Sequence, residues 1–121
     1  MYKHIILFLT TLLILTSGCD DLKLWSDKVI HITFASDRDG NQEIYVMKSD
    51  GSYQTNITNN VSIDGQPKWS SDGSKITFET DRVGNNEIYV MNRDGSNPVN
   101  ISNNSTGDLD PSWTNIAIIS N

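Results

Sequence analysis

The chain has 121 residues, of which 36% are apolar, which suffices for one small domain with a modest core. Its formal net charge is −6, and its nine Lys and Arg residues are scattered along the chain. A protein that binds nucleic acid needs a basic surface that neutralises phosphates, so nucleic acid is not expected as a partner.

The first 18 residues differ in composition from the rest of the chain. Lys3 and His4 precede an apolar stretch over residues 5–15, and the small residues Ser17 and Gly18 follow it. This stretch covers only about half of the hydrocarbon core of a bilayer, which an α-helix needs about 20 residues to cross. The pattern therefore predicts a secretory signal peptide over residues 1–18.

Cys19 is the only cysteine, so a disulfide within the chain is excluded. With Ser17 and Gly18 before it, Cys19 resembles the lipid-attachment cysteine in the lipobox of bacterial lipoproteins. The resemblance implies an acylated Cys19, a tether over residues 19–28 and a lipid-anchored protein on the periplasmic side of the cell envelope. Asp20 follows the cysteine, as in lipoproteins that many enteric bacteria retain in the inner membrane. The open alternative is a plain signal peptide or uncleaved anchor with an incidental thiol.

An internal repeat with a period of 44 residues dominates the remainder of the chain. Residues 37–60 read DRDGNQEIYVMKSDGSYQTNITNN and residues 81–104 read DRVGNNEIYVMNRDGSNPVNISNN, with 16 identities in 24 positions. The same shift places Asp64, Pro67 and Trp69 on Asp108, Pro111 and Trp113. A period of about 40 to 45 residues is the length of one four-stranded blade of a β-propeller.

Each repeat contains alternating apolar runs separated by turn residues. Residues 75–79 alternate apolar and polar side chains, and residues 88–91 are a short apolar run of β-forming residues, so both are predicted strands. Residues 81–85 and 94–96 supply the glycines that tight turns need. We expect residues 99–102 to form a polar outer strand, and residues 108–113 to lead into the first strand of another blade.

The repeat resembles that of a known protein family. The string WSSDGSKI over residues 69–76, the DR-x-GN-x-EIYVM core and the DGS turn are similar to the repeat of TolB-like propellers. The resemblance covers about residues 30–120. It implies an all-β fold of β-propeller blades of four antiparallel strands, with about two blades and a truncated third over residues 29–121. TolB-like proteins contact a peptidoglycan-associated lipoprotein, so the resemblance also implies a protein partner in the envelope.

Propellers close with about four to eight blades, and a repeat unit cannot bury its apolar face without neighbours. We therefore expect either self-association into a homo-oligomer or marginal stability. The first outcome fits a working protein. The second would fit a truncated remnant of a longer propeller protein without independent activity.

Candidate catalytic and metal-binding residues have structural explanations in the sequence. Glu43 and Glu87 occupy the same place in the two repeats, which favours a structural task over a glycosidase pair. Asp37, Asp39 and Asn41 resemble the opening of a calcium loop, but Val83 replaces the counterpart of Asp39, which favours a turn. His31 is expected as an exposed strand residue, and neither a catalytic triad nor a zinc site is predicted.

The repeated aromatic residues are also expected to be structural. Trp69 and Trp113 recur at the start of a blade and are expected to pack between blades, while Tyr45 and Tyr89 are expected in the core. The sequence thus predicts a non-enzymatic exported lipoprotein without cofactor or metal, acting as a protein interaction module. A glycan-binding or sugar-processing propeller is the alternative, and it would require aromatic and carboxylate side chains to converge on one face.

Overall fold

The computed structural model describes residues 29–115, which form seven strands and, within this range, no helix. The strands are β1 (His31–Ser36), β2 (Glu43–Lys48), β3 (Thr55–Asn56), β4 (Asp64–Trp69), β5 (Lys75–Thr80), β6 (Glu87–Asn92) and β7 (Val99–Asn100). Two antiparallel sheets result, with the orders β1-β2-β3 and β4-β5-β6-β7. The all-β prediction is confirmed, and the second sheet is a four-stranded blade.

The two central hairpins repeat each other in register. Phe34 of β1 lies opposite Tyr45 of β2, and Phe78 of β5 lies opposite Tyr89 of β6. The ring centroids of the two pairs are 5.6 and 5.8 Å apart. The predicted strands over residues 75–79 and 88–91 are thus confirmed, each slightly longer than expected.

The outer strand is shorter than the sequence predicted. Residues 99–102 were expected as a strand, but β7 contains only Val99 and Asn100. The Ile88 N–H of β6 donates to the Ser102 hydroxyl oxygen at 2.9 Å, while the Ile101 N–H donates to the Ile88 carbonyl. A side-chain hydroxyl therefore replaces a backbone acceptor, and the regular ladder ends there.

The strand β4 carries a bulge that accommodates a proline. Its pairing with β5 shifts between Gly65 and Lys68, and Gln66 adopts a φ of 48°. Pro67 has no N–H to donate, so it is tolerated where the ladder is interrupted. Asp110, the counterpart of Gln66, has a φ of 55°. Residues 108–113 thus share a backbone feature of β4, although no strand is assigned to them.

The core lies between the two sheets. Its buried residues are Ile44, Ile76, Phe78, Tyr89 and Met91, and Ala35, Val46, Ile57 and Trp69 pack against them. Each large apolar side chain that is fully buried contributes about 1.5–3 kcal/mol. Because both sheets contribute to this cluster, neither one buries its apolar face alone. The strand β4 contacts both β1 and β2.

Three turns share one hydrogen-bonding pattern, in which an aspartate caps the serine two residues later. Asp50, Asp72 and Asp94 each accept bonds from both the backbone N–H and the hydroxyl of Ser52, Ser74 and Ser96, respectively. Ser70 also donates to Asp72, and these bonds lower the pKa of Asp72 to about 2. The serine bonds likewise lower the pKa values of Asp50 and Asp94.

These turns predict how stability depends on pH. A carboxyl whose pKa is lower in the folded state stabilises the fold above its unfolded pKa, and the contribution is lost as pH falls through the folded value. For Asp72 the window extends from 3.8 down to about 2. We expect the thermal midpoint to decline across this window and Asp72→Asn to make the decline shallower. A midpoint that is constant between pH 5 and pH 2 would contradict the role of these caps.

Candidate functional site: a cavity between the blades

A cavity of about 520 Å³ opens between the two sheets. One side comes from β1, β2 and β3, and the other comes from the end of β4 and the turn between β6 and β7. The lining residues are His31, Val46, Lys48, Tyr53, Thr55, Ile57, Trp69, Arg93 and Asp94. Cavities of about 300–1,000 Å³ with mixed apolar and polar linings are typical binding sites. This cavity is therefore the candidate functional site of the described residues.

The cavity has an aromatic and cationic lining. The Lys48 ammonium lies 3.9 Å from the ring centre of Tyr53, a favourable cation–π position. Tyr53 is 75% exposed, so its ring is accessible at the rim. The Ser96 hydroxyl and N–H lower the pKa of Asp94 below its ordinary value. The lining thus contains two cations, Lys48 and Arg93, and one anion, Asp94, and it favours a ligand with a negatively charged group.

Three of the cavity residues lie at positions where the two repeats differ. At the period of 44 residues, Lys48 corresponds to Asn92, Tyr53 to Asn97 and Arg93 to Ser49. Strand residues such as Ile44 and Tyr45 recur as Ile88 and Tyr89, whereas these three residues do not recur. Sequence reasoning missed Lys48, Tyr53 and Arg93 because it followed the identities, and the departures from the repeat were the available signal.

His31 and Trp69 line this cavity, whereas Trp113 lies outside its lining. The expectation of an exposed His31 is wrong: its side chain is half-buried because it lines the cavity beside Trp69. Trp69 packs against the core, as expected of a residue between blades. Trp113 donates its indole N–H to the Lys68 carbonyl of β4 at 3.2 Å. Tyr45 and Tyr89 are buried, as expected.

Glu43 and Glu87 form equivalent structural clamps. Each is buried and accepts three hydrogen bonds: from a hydroxyl, an asparagine amide and a backbone N–H of the outer loop. For Glu43 the donors are Thr58, Asn41 and Asn60. For Glu87 they are Ser102, Asn85 and Asn104, and the Ser102 bond lowers the pKa of Glu87. These contacts fasten the outer loop of each sheet to the strand that carries the glutamate, β2 in the first sheet and β6 in the second.

The turn that resembles a calcium loop uses its carboxylate within the protein. Asp39 accepts a hydrogen bond from the Tyr45 hydroxyl, which raises the pKa of that tyrosine. Gly40 and Gly84 have φ values of 114° and 101°, as the turn requires in both copies. Among residues 29–115, no three His, Cys, Asp or Glu side chains are grouped closely enough to hold a metal ion.

The predicted lipid-attachment residue Cys19 and the predicted signal peptide lie outside the described residues. In the part of the chain that the structure describes, no helix has the length and apolar character needed to cross a bilayer.

Comparison with known proteins agrees with this architecture. The family model of the TolB beta propeller domain matches residues 19–118. Among solved structures, the chain is similar to a protein assigned as TolB from Agrobacterium tumefaciens, with 31% sequence identity and a TM-score of 0.61. That match covers 64% of this chain and 28% of the other, so this chain spans less than a third of that protein's length. No curated protein matches the chain.

Proposed function

Because the chain belongs to the TolB β-propeller domain family, we propose that it is a non-enzymatic module that binds a protein partner in the cell envelope. The cavity between the blades carries this proposal. Its lining combines Tyr53, Trp69 and Arg93, which are the residue types that dominate the energetics of protein interfaces. The residues that could have paired as catalytic carboxylates, Glu43 and Glu87, are instead fully engaged in holding the outer loops.

The charge of the cavity indicates which chemical group of the partner would bind there. Lys48 and Arg93 outnumber Asp94 in a chain whose net charge is −6. This local excess of positive charge is complementary to an acidic side chain or a carboxylate of the partner. The partner segment would place such a group near Lys48 and an apolar group against Trp69.

The N-terminal residues support a location for the protein in the cell envelope. The sequence pattern before Cys19 supports export, and Cys19 would attach the module to the membrane through lipid. The partner would then be a protein that reaches the periplasmic side of the envelope, with the inner membrane favoured by Asp20.

A photo-cross-linking residue in place of Tyr53 tests the proposed binding site directly. Tyr53 lies at the cavity rim, and its counterpart in the second repeat, Asn97, also has a positive φ but lies outside the cavity lining. We expect irradiation of cells to yield one discrete protein adduct from position 53, at least tenfold more intense than from position 97. Adding Lys48→Glu should weaken that adduct, because the substitution reverses the charge of the site.

Equal labelling from positions 53 and 97, or insensitivity to Lys48→Glu, would contradict the proposed site.

A second candidate, glycan binding, is favoured by one observation: Tyr53, Trp69 and the Asp94 carboxylate converge on the same cavity. Quenching of tryptophan fluorescence by soluble cell-wall sugars, without a protein adduct from position 53, would favour that candidate.

A further inference from the structure

The strand β1 has a free edge among the described residues. It pairs with β2 on one side only, whereas its counterpart β5 lies between β4 and β6. Equivalent side chains of the two strands also differ in burial. Ile32 of β1 is 40% exposed, while Ile76 of β5 is 0% exposed. The first blade therefore has an apolar strand edge that an additional strand would cover.

The second blade shows which contacts such a strand makes. In β4, Asp64 pairs with Thr80, Lys68 with Thr77 and Trp69 with Ile76. The Asp64 carboxylate also receives the Arg82 guanidinium at 2.9 Å. In the first blade the counterpart of Arg82 is Arg38, which is exposed and bonds to Ser36 and Gln54. A strand that covers β1 should therefore bring an aspartate to Arg38.

Residues 108–113 have the required sequence and backbone. Asp108, Pro111 and Trp113 correspond to Asp64, Pro67 and Trp69, and Asp110 reproduces the positive φ of Gln66. Leu109 is 58% exposed and Trp113 is 40% exposed. The segment is thus shaped like β4, while its apolar side chains remain accessible.

We propose that residues 108–113 of one copy dock on the β1 edge of a second copy and complete its first blade. The register of β4 on β5, transferred by the period of 44 residues, pairs Asp108 with Ser36, Ser112 with Thr33, and Trp113 with Ile32. In this register Asp108 of one copy reaches Arg38 of the next. Residues 108–113 and the β1 edge are therefore complementary in charge, through Asp108 and Arg38, and in their apolar side chains.

A buried polar atom supports the same arrangement. The Trp69 indole nitrogen is buried and has no hydrogen-bond partner among the described residues, whereas the Trp113 indole N–H donates to the Lys68 carbonyl. By the repeat, the corresponding acceptor for Trp69 is the Ser112 carbonyl of the docked copy. Docking would therefore give this buried donor an acceptor.

The chain's own residues 20–25 are the competing occupant, since Asp20 and Trp25 also fall in the repeat. They fit the bulge less well. Leu22 stands at the position where Gln66 and Asp110 have a positive φ, and this conformation is less favourable for Leu than for Asp. Lys23 stands at the position of the proline. The observations therefore favour the second copy.

The arrangement is head to tail, so each copy both supplies and receives a strand, and repetition closes a ring when the rotation allows it. Each copy then contributes two four-stranded blades.

A cysteine pair at the proposed contact tests this inference. The full chain with Thr33→Cys and Ser112→Cys is expressed in bacterial cells and mildly oxidised before lysis. We expect covalent multimers at least tenfold above those of the unmodified chain, whose only cysteine is Cys19. Adding Arg38→Asp should lower the yield at least fivefold, and adding Asp108→Arg as well should restore it.

The matched control is Lys68→Cys with Thr77→Cys, the equivalent pair within the second blade, which should form a disulfide inside one copy. Multimers absent from the interface variant, while the control pair closes, would overturn the proposal. An intrachain disulfide in a Leu24→Cys, Thr33→Cys variant would also overturn it, since the chain's own residues 20–25 would then cover β1.

Discussion

Phe78→Ala will lower the free energy of unfolding by about 4 kcal/mol, a large share of the about 5–15 kcal/mol that stabilises a folded domain. Phe78 is fully buried in the cluster that joins the two sheets, and its ring lies against Tyr89. Truncation removes apolar contacts and leaves a void that the surrounding strands fill only in part. Urea unfolding followed by circular dichroism measures the loss.

The matched control is Phe34→Ala, the same position in the first repeat. Phe34 is half-buried in a single copy, so its truncation should cost clearly less than that of Phe78 when measured in dilute solution. Equal costs for the two variants would contradict the burial of Phe78 between the two sheets.

The fold could be predicted from the sequence because its information is local and repeated. The alternation of residues 75–79 and the turns at Gly84 and Gly95 specify a strand and its ends without reference to the rest of the molecule. The second copy of the repeat confirmed which identities belong to the blade. Family similarity over residues 19–118 rests on the same identities.

The length of the outer strand could not be predicted because it depends on a side chain that competes with the backbone. Thr58 and Ser102 place their hydroxyls on the N–H groups of Ile44 and Ile88. Propensity favours residues 99–102 as a strand, and only the three-dimensional position of the hydroxyl shows that the ladder stops after Asn100.

The candidate cavity could not be predicted because its walls come from different blades. Tyr53 belongs to the loop before β3, while Arg93 lies in the turn after β6, 40 positions later in the chain. Neither residue forms part of a motif. What brings them together is the packing of one sheet on the other, which sequence periodicity does not describe.

The structural role of Glu43 and Glu87, in contrast to the cavity, could be predicted from the sequence. The position of Glu43 and Glu87 at the same point of each repeat predicted a structural task, and both side chains hold an outer loop through the same three kinds of donor. The repeat predicts that the two glutamates have the same structural role, but it does not identify the groups that donate hydrogen bonds to them.

Gly95→Ala should be the second most damaging substitution, with a cost of about 2–4 kcal/mol. Gly95 has a φ of 86°, and a Cβ added there would overlap the carbonyl oxygen of Ile57 in the other blade. Gly51 is its counterpart in the first repeat, with a φ of 83°, and a Cβ there would meet nothing within 4 Å. Both alanines strain the turn, but only the one at position 95 forces the blades apart.

The difference between these two variants tests the central claim, that two blades pack into one unit with a binding cavity between them. The measurement is the free energy of unfolding of Gly95→Ala and Gly51→Ala in urea, under identical conditions. We predict that Gly95→Ala is less stable than Gly51→Ala by about 1–3 kcal/mol, because it alone disrupts the contact between blades. Equal stability of the two variants would contradict the packed pair of blades and, with it, the cavity on which the proposed function rests.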